Sequence, residues 1–74
     1  MLTIEDNTIY MQLRISELLM RKWQKTPRKF IELDKKYRIL EYIRNCYDSF
    51  ISMGDDGIIE DIQQFIRQQG GILR

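Results

Sequence analysis

Few side chains in this chain are equipped for chemistry. There is one thiol, Cys46, three serines at 16, 49 and 52, and an acidic run of Asp55, Asp56, Glu60 and Asp61 around Gly57. Histidine is absent altogether. Covalent catalysis needs a nucleophile beside a base, and no imidazole exists to serve any of these hydroxyls or the thiol. The usual zinc-ligand sets are excluded for the same reason. Cys46 stands among apolar residues at helical spacing, which reads as packing.

The acidic run does not make a calcium loop. An EF-hand loop alternates oxygen ligands around a central glycine and ends on glutamate at its twelfth position. Here Ile58 and Ile59 interrupt the acids, and the twelfth residue counted from Asp55 is Ile66. Neither Gly54 with Gly57 nor Gly70-Gly71 has the lysine or the strand context of a phosphate loop. Carboxylates such as Asp48 and Asp61 could share acid–base work only within a shaped pocket, which a short helical chain rarely has to spare. The expectation is a protein that is not an enzyme and carries no cofactor.

With 74 residues, 43% of them hydrophobic and 31% charged, the chain reads as one globular domain over residues 1–74. A lone thiol suits a reducing compartment, so a cytoplasmic setting is expected. Met1-Leu2-Thr3-Ile4-Glu5-Asp6 has early acids and no apolar run, unlike a secretory signal. No segment approaches the ~20 apolar residues of a membrane span.

Apolar residues recur at helical spacing nearly throughout and alternation is absent, so the expected fold is all-α, a compact bundle of about four helices. The first helix spans about Ile4 to Trp23, capped by Thr3. Its apolar residues fall in two rows, Ile9, Leu13, Met20 and Trp23 beside Met11, Ile15, Leu18 and Leu19, and so wide a stripe predicts a central helix. Thr26-Pro27 opens a second helix, with threonine as cap and proline at the first position, where its missing N–H costs nothing. A third runs from about Tyr37 to Met53, with Ile39, Leu40, Ile43, Cys46, Tyr47, Phe50 and Ile51 on one face. Gly54 is expected to end it in the left-handed conformation, and Asp55 to cap a fourth helix whose core face is Ile58, Ile59, Ile62, Phe65 and Ile66. Gly70-Gly71 stops that helix, leaving Ile72-Leu73-Arg74 as a tail. Leu13, Phe30, Ile43, Phe50, Ile62 and Phe65 are the expected centre of the core.

The net charge of +1 conceals an uneven layout. Residues 21–38 are basic, with Arg21, Lys22, Lys25, Arg28 and Lys29 clustered at the first helix junction, while residues 39–69 are mainly acidic. Arg28 and Lys29 occupy the first turn of the second helix, where positive charge opposes the helix dipole, a small hint that this corner is kept basic for a partner. Tyr10, Trp23, Tyr37, Tyr42 and Tyr47 are many amphipathic aromatics for a small core, and such residues often anchor protein contacts. Two candidate partner surfaces follow: the basic corner Arg21, Lys22, Lys25, Arg28 and Lys29, and an acidic–aromatic edge of Tyr47, Asp48, Glu60 and Asp61. A helix-turn-helix-like use of segment 21–38 on DNA is the alternative. The near-neutral balance disfavours nucleic acid as a partner, and self-association stays open.

The pattern Tyr47-Asp48-x-Phe50-x-x-Met53-Gly54, then Ile58-Ile59-x-Asp61-Ile62-x-x-Phe65-Ile66 and Gly70-Gly71, resembles a family of short bacterial proteins catalogued as domain of unknown function 3791. Phe30-x-x-Leu33-x-x-x-Tyr37, Ile39 to Ile43, and Glu17 fit the same pattern. Members often carry a leucine–histidine pair where this chain has Phe50 and Ile51, so any role of that histidine is absent here. Genes for such proteins lie beside genes for ADP-ribosyltransferase-like proteins, in arrangements resembling toxin–antitoxin modules. The resemblance therefore implies a non-enzymatic interaction module, antitoxin-like or accessory, whose partner is a protein encoded nearby.

Overall fold

The computed structural model describes residues 4–71, with side chains from residue 6 onward. The expected Thr3 cap and the tail 72–74 lie outside the described residues. Five helices follow one another: α1 (Ile4–Trp23), α2 (Pro27–Tyr37), α3 (Ile39–Asn45), α4 (Tyr47–Phe50) and α5 (Asp55–Gln68), with no strand among the described residues. The radius of gyration is 11.9 Å, close to the ~11 Å of a compact chain of this length. The all-α bundle is the expected fold.

Each helix end has a local cause. At α2, the Thr26 side chain accepts a hydrogen bond from the Lys29 amide and Pro27 takes the first position. Beyond α1, Gln24 adopts φ +54, and the Lys25 amide reaches back to the Met20 carbonyl at 2.9 Å. That is a Schellman closure built on glutamine instead of glycine. Arg38, at φ +56, turns the chain from α2 into α3. Asp34 accepts from the Leu40 amide at 2.8 Å, satisfying one of the free donors at the start of α3. Gly70, at φ +83, closes α5, with the Gly71 amide on the Ile66 carbonyl at 3.0 Å.

Three details depart from the sequence reading. The long third helix divides at Cys46 (φ −99, ψ 11), giving α3 and α4. Gly54 is not left-handed but extended (φ −73, ψ 161), and it is Gly54, not Asp55, that stands at the cap position of α5. Asp55 instead reaches Arg14 of α1 in an ion pair, which ties the start of α5 to the first helix.

Met11, Ile15 and Leu19 of α1 meet Phe30, Ile39, Ile43 and Phe50, and the α5 row Ile58, Ile59, Ile62 and Ile66, in one buried cluster. Four of the six expected central residues, Phe30, Ile43, Phe50 and Ile62, are buried there, and Phe65 packs against the cluster, partly covered. Leu13 is the correction, being 63% exposed. The Met11–Ile15–Leu19 row of α1 lies fully under the other helices and Leu18, Met20 and Trp23 pack partly against the core, so it is the N-terminal part of the other row, Ile9 and Leu13, that is left on the surface. Ile51, expected on the inner face of the third helix, is likewise exposed.

Candidate interaction surfaces

The unburied half of α1 is its most unusual feature. Ile9, Tyr10 and Leu13 are 50%, 64% and 63% exposed and lie within a little over one helical turn. Ile9 also borders an open cleft of about 580 Å³, lined in addition by Thr8 and Gln12 of α1, Arg44 and Asn45 of α3, and Tyr47 and Asp48 of α4. Gln12 fixes one wall by donating to the Leu40 carbonyl at 2.8 Å. Arg44 and Asp48, on either side of the break at Cys46, are both exposed, and among the described residues neither has an ion pair. Apolar surface thus adjoins two uncommitted opposite charges.

The acidic–aromatic edge does not form one surface with common contacts. Tyr47 and Asp48 line the cleft, while Glu60 and Asp61 are engaged in bonds that hold α5. Asp61 accepts from the Tyr42 hydroxyl, and the Tyr42 ring lies parallel to Phe65 at 3.8 Å and edge-on to Phe50 at 6.0 Å. Burial, with the bond to Asp61 next, holds the Tyr42 phenol well above its ordinary pKa of 10.0. Glu60 pairs with Arg67 at 3.6 Å and accepts from Gln63, whose own oxygen accepts from the Trp23 indole at 3.2 Å.

The basic residues lie along the end of α1, the turn after it and the start of α2. Arg21, Lys22, Arg28 and Lys29 are exposed and Lys25 is half-buried. Lys25 and Lys29 line a shallow groove of about 230 Å³ with Glu32, Leu33 and Lys36. Lys29 pairs with Glu32 at 3.7 Å, whereas Arg21, Lys22, Lys25 and Arg28 have no ion pair among the described residues. No group of three or more Cys, Asp or Glu side chains is placed to hold a metal ion, and no helix is long and apolar enough to cross a membrane, among the described residues.

Sequence reasoning missed Ile9, Leu13 and Arg44 as surface features. Helical periodicity marked Ile9 and Leu13 as apolar-face residues but could not say what they face. Nothing in the spacing marked Arg44, whose place depends on how α3 packs against α1.

The architecture defines a small all-helical domain, closed by two Schellman turns, with one amphipathic face of its first helix left open. The chain matches the sequence profile of the family described as "Protein of unknown function (DUF3791)" over residues 10–69, and it belongs to that family. The match begins at Tyr10 and ends at Gln69, so it takes in most of α1 and every later helix. No curated protein and no solved structure matches the chain.

Proposed function

We propose that this protein is a non-enzymatic interaction module that works by binding another polypeptide through the open face of α1. The exposed row Ile9, Tyr10 and Leu13 carries the reading. Leaving three large side chains this exposed on one helical face forgoes burial worth roughly 1–2 kcal/mol for each of the half- to two-thirds-exposed Ile9 and Leu13 that a partner would fully cover. Clustered apolar surface beside polar residues is the usual mark of a protein contact. Tyr47 and Asp48 extend the surface on the cleft side, and the cations Arg21, Lys22, Lys25 and Arg28 at the far end of α1, without an ion pair among the described residues, favour an acidic partner.

The family resemblance supports a finer version. In it the chain is a bacterial, cytoplasmic, antitoxin-like or accessory component, and its partner is an ADP-ribosyltransferase-like protein encoded next to it. Co-expression with the product of the adjacent gene is the test. The expected result is co-purification of the two proteins and relief of any growth arrest the neighbour causes. If the neighbour neither binds nor is neutralised, the antitoxin-like reading falls.

A further inference from the structure

We infer that in the free protein the open face of α1 is covered by a second copy of the same chain, packed antiparallel about a two-fold axis at the mouth of the cleft. The inference rests on the interaction reading above and names the polypeptide that occupies the face when no other partner is present.

Charge complementarity singles out this occupant. Arg44 at the end of α3 and Asp48 in α4 line the cleft beside Ile9, exposed and, among the described residues, without an ion pair. A two-fold axis passing between them sets Arg44 of one copy against Asp48 of the other, twice, with no other sequence required. Isologous interfaces have this property, since residue i meets j and j meets i. A parallel arrangement would instead set arginine against arginine. The same axis brings the α1 faces that carry Ile9, which shares the cleft with Arg44 and Asp48, and Leu13, one turn further on, against each other, and it runs the two α1 helices in opposite directions, so each basic last turn of Arg21 and Lys22 points away from the other. Antiparallel packing also brings opposite ends of the helix dipoles together.

Size sets the strength. A strip ~10 Å wide along the whole 20-residue helix, about 30 Å long, would cover ~300 Å², and that is an upper bound because the open row runs only from Ile9 to Leu13. That is below the ~800 Å² per partner of a stable complex, so association is expected to depend on concentration.

Sedimentation velocity over protein concentrations from about 1 μM to about 1 mM tests this, a range that spans dissociation constants from micromolar to millimolar. The expected result is a shift from monomer towards dimer across the range. Leu13→Glu should abolish the shift while leaving the helical circular dichroism unchanged and the melting of the dilute monomer little altered, because Leu13 is mostly exposed and lies outside the buried cluster. Arg44→Asp and Asp48→Arg should each weaken association at least about tenfold, since each sets like charges together twice. The double variant Arg44→Asp/Asp48→Arg should restore it to within about threefold, because the cross-pairing is rebuilt in reverse. A monomer at every concentration overturns the inference, as does a dimer indifferent to Leu13→Glu. Single reversals that weaken association without rescue by the double variant overturn the two-fold pairing. A monomer that still binds the neighbouring gene product removes this inference alone. A dimer that ignores that product removes only the neighbour reading.

Discussion

Gly71→Ala tests the C-terminal closure, because the geometry fixes both its sign and its scale. Gly71 is buried, and a Cβ built there would collide with Cγ2 of Ile66 and stand 2.8 Å from Cζ and Oη of Tyr37. Carbon atoms in contact sit about 3.5–4.0 Å apart, so something must move by roughly 1 Å. Ile66 is fully buried and the Tyr37 side chain nearly so, which leaves neither room to turn aside. Overpacking of this kind costs about 1–3 kcal/mol. The chain can escape by releasing the Gly71 amide from the Ile66 carbonyl, and losing that bond costs about 0.5–1.5 kcal/mol together with the packing that it held. Either way Gly71→Ala should lower stability by about 1–3 kcal/mol, roughly 4–8 °C of melting temperature per kcal/mol in a domain this size. Gly57→Ala is the matched control. Gly57 lies within the first turn of α5, and the nearest contact of its added Cβ is the flexible Met53 Cε at 3.4 Å. It should gain about 0.5–1 kcal/mol from helix propensity. Urea and thermal unfolding followed by circular dichroism at 222 nm, the helical band, read both variants. A Gly71→Ala protein that melts with or above the wild type would refute the close packing of Gly71 on Tyr37 and Ile66.

Three further outcomes follow from other parts of the fold. Tyr42→Phe keeps the ring stack on Phe65 but removes the hydroxyl bond to Asp61, and should cost about 0.5–1.5 kcal/mol in urea unfolding near neutral pH. Because folding raises the Tyr42 pKa above 10.0, its contribution is complete below that value and is lost as pH rises towards the folded value. Wild-type stability should therefore decline from about pH 10 upward, with a smaller slope in Tyr42→Phe. Gln24→Gly relieves a left-handed residue at the end of α1 and should raise stability by up to about 1 kcal/mol. At the basic corner, the protein-contact reading expects no duplex DNA binding at physiological salt. If duplex does bind, the log–log salt slope of about −0.9 per neutralised phosphate should flatten in the double variant Arg28→Glu/Lys29→Glu.

Much of the fold was legible because its signals are local. Thr26-Pro27 fixes the start of α2, and Gly70 the end of α5, through backbone chemistry that any neighbourhood would respect. Other joints left no such signal. Gln24 and Arg38 are left-handed without being glycine; one is closed by a Schellman bond and the other by the bond of its own amide to the Asp34 carbonyl at 2.7 Å, with the Asp34 side chain capping the turn that follows. Gly54 before Asp55 could end one helix or begin the next, and the chain uses it to begin one. The break at Cys46 has neither glycine nor proline to announce it. Of the candidate surfaces, the basic corner was visible as a charge cluster, since consecutive residues at a helix junction must stay together. Asp61 was placed on a partner-facing edge, but its hydrogen bond to Tyr42 depends on how α5 crosses α3. The exposed row was the hardest to read. Ile9 and Leu13 have the same periodicity as Met11 and Ile15, and only the packed bundle shows which row its own core has room for.

That row is also where the functional account is most exposed to test. The direct measurement is capture of the neighbouring gene product by tagged wild-type protein and by Leu13→Glu, with the melting temperature of both recorded. Leu13 is 63% exposed, so a surface change there should alter folding stability by no more than about 0.5 kcal/mol. The account predicts equal melting, capture by the wild type, and loss of capture in Leu13→Glu. Undiminished capture by a folded Leu13→Glu protein would contradict it.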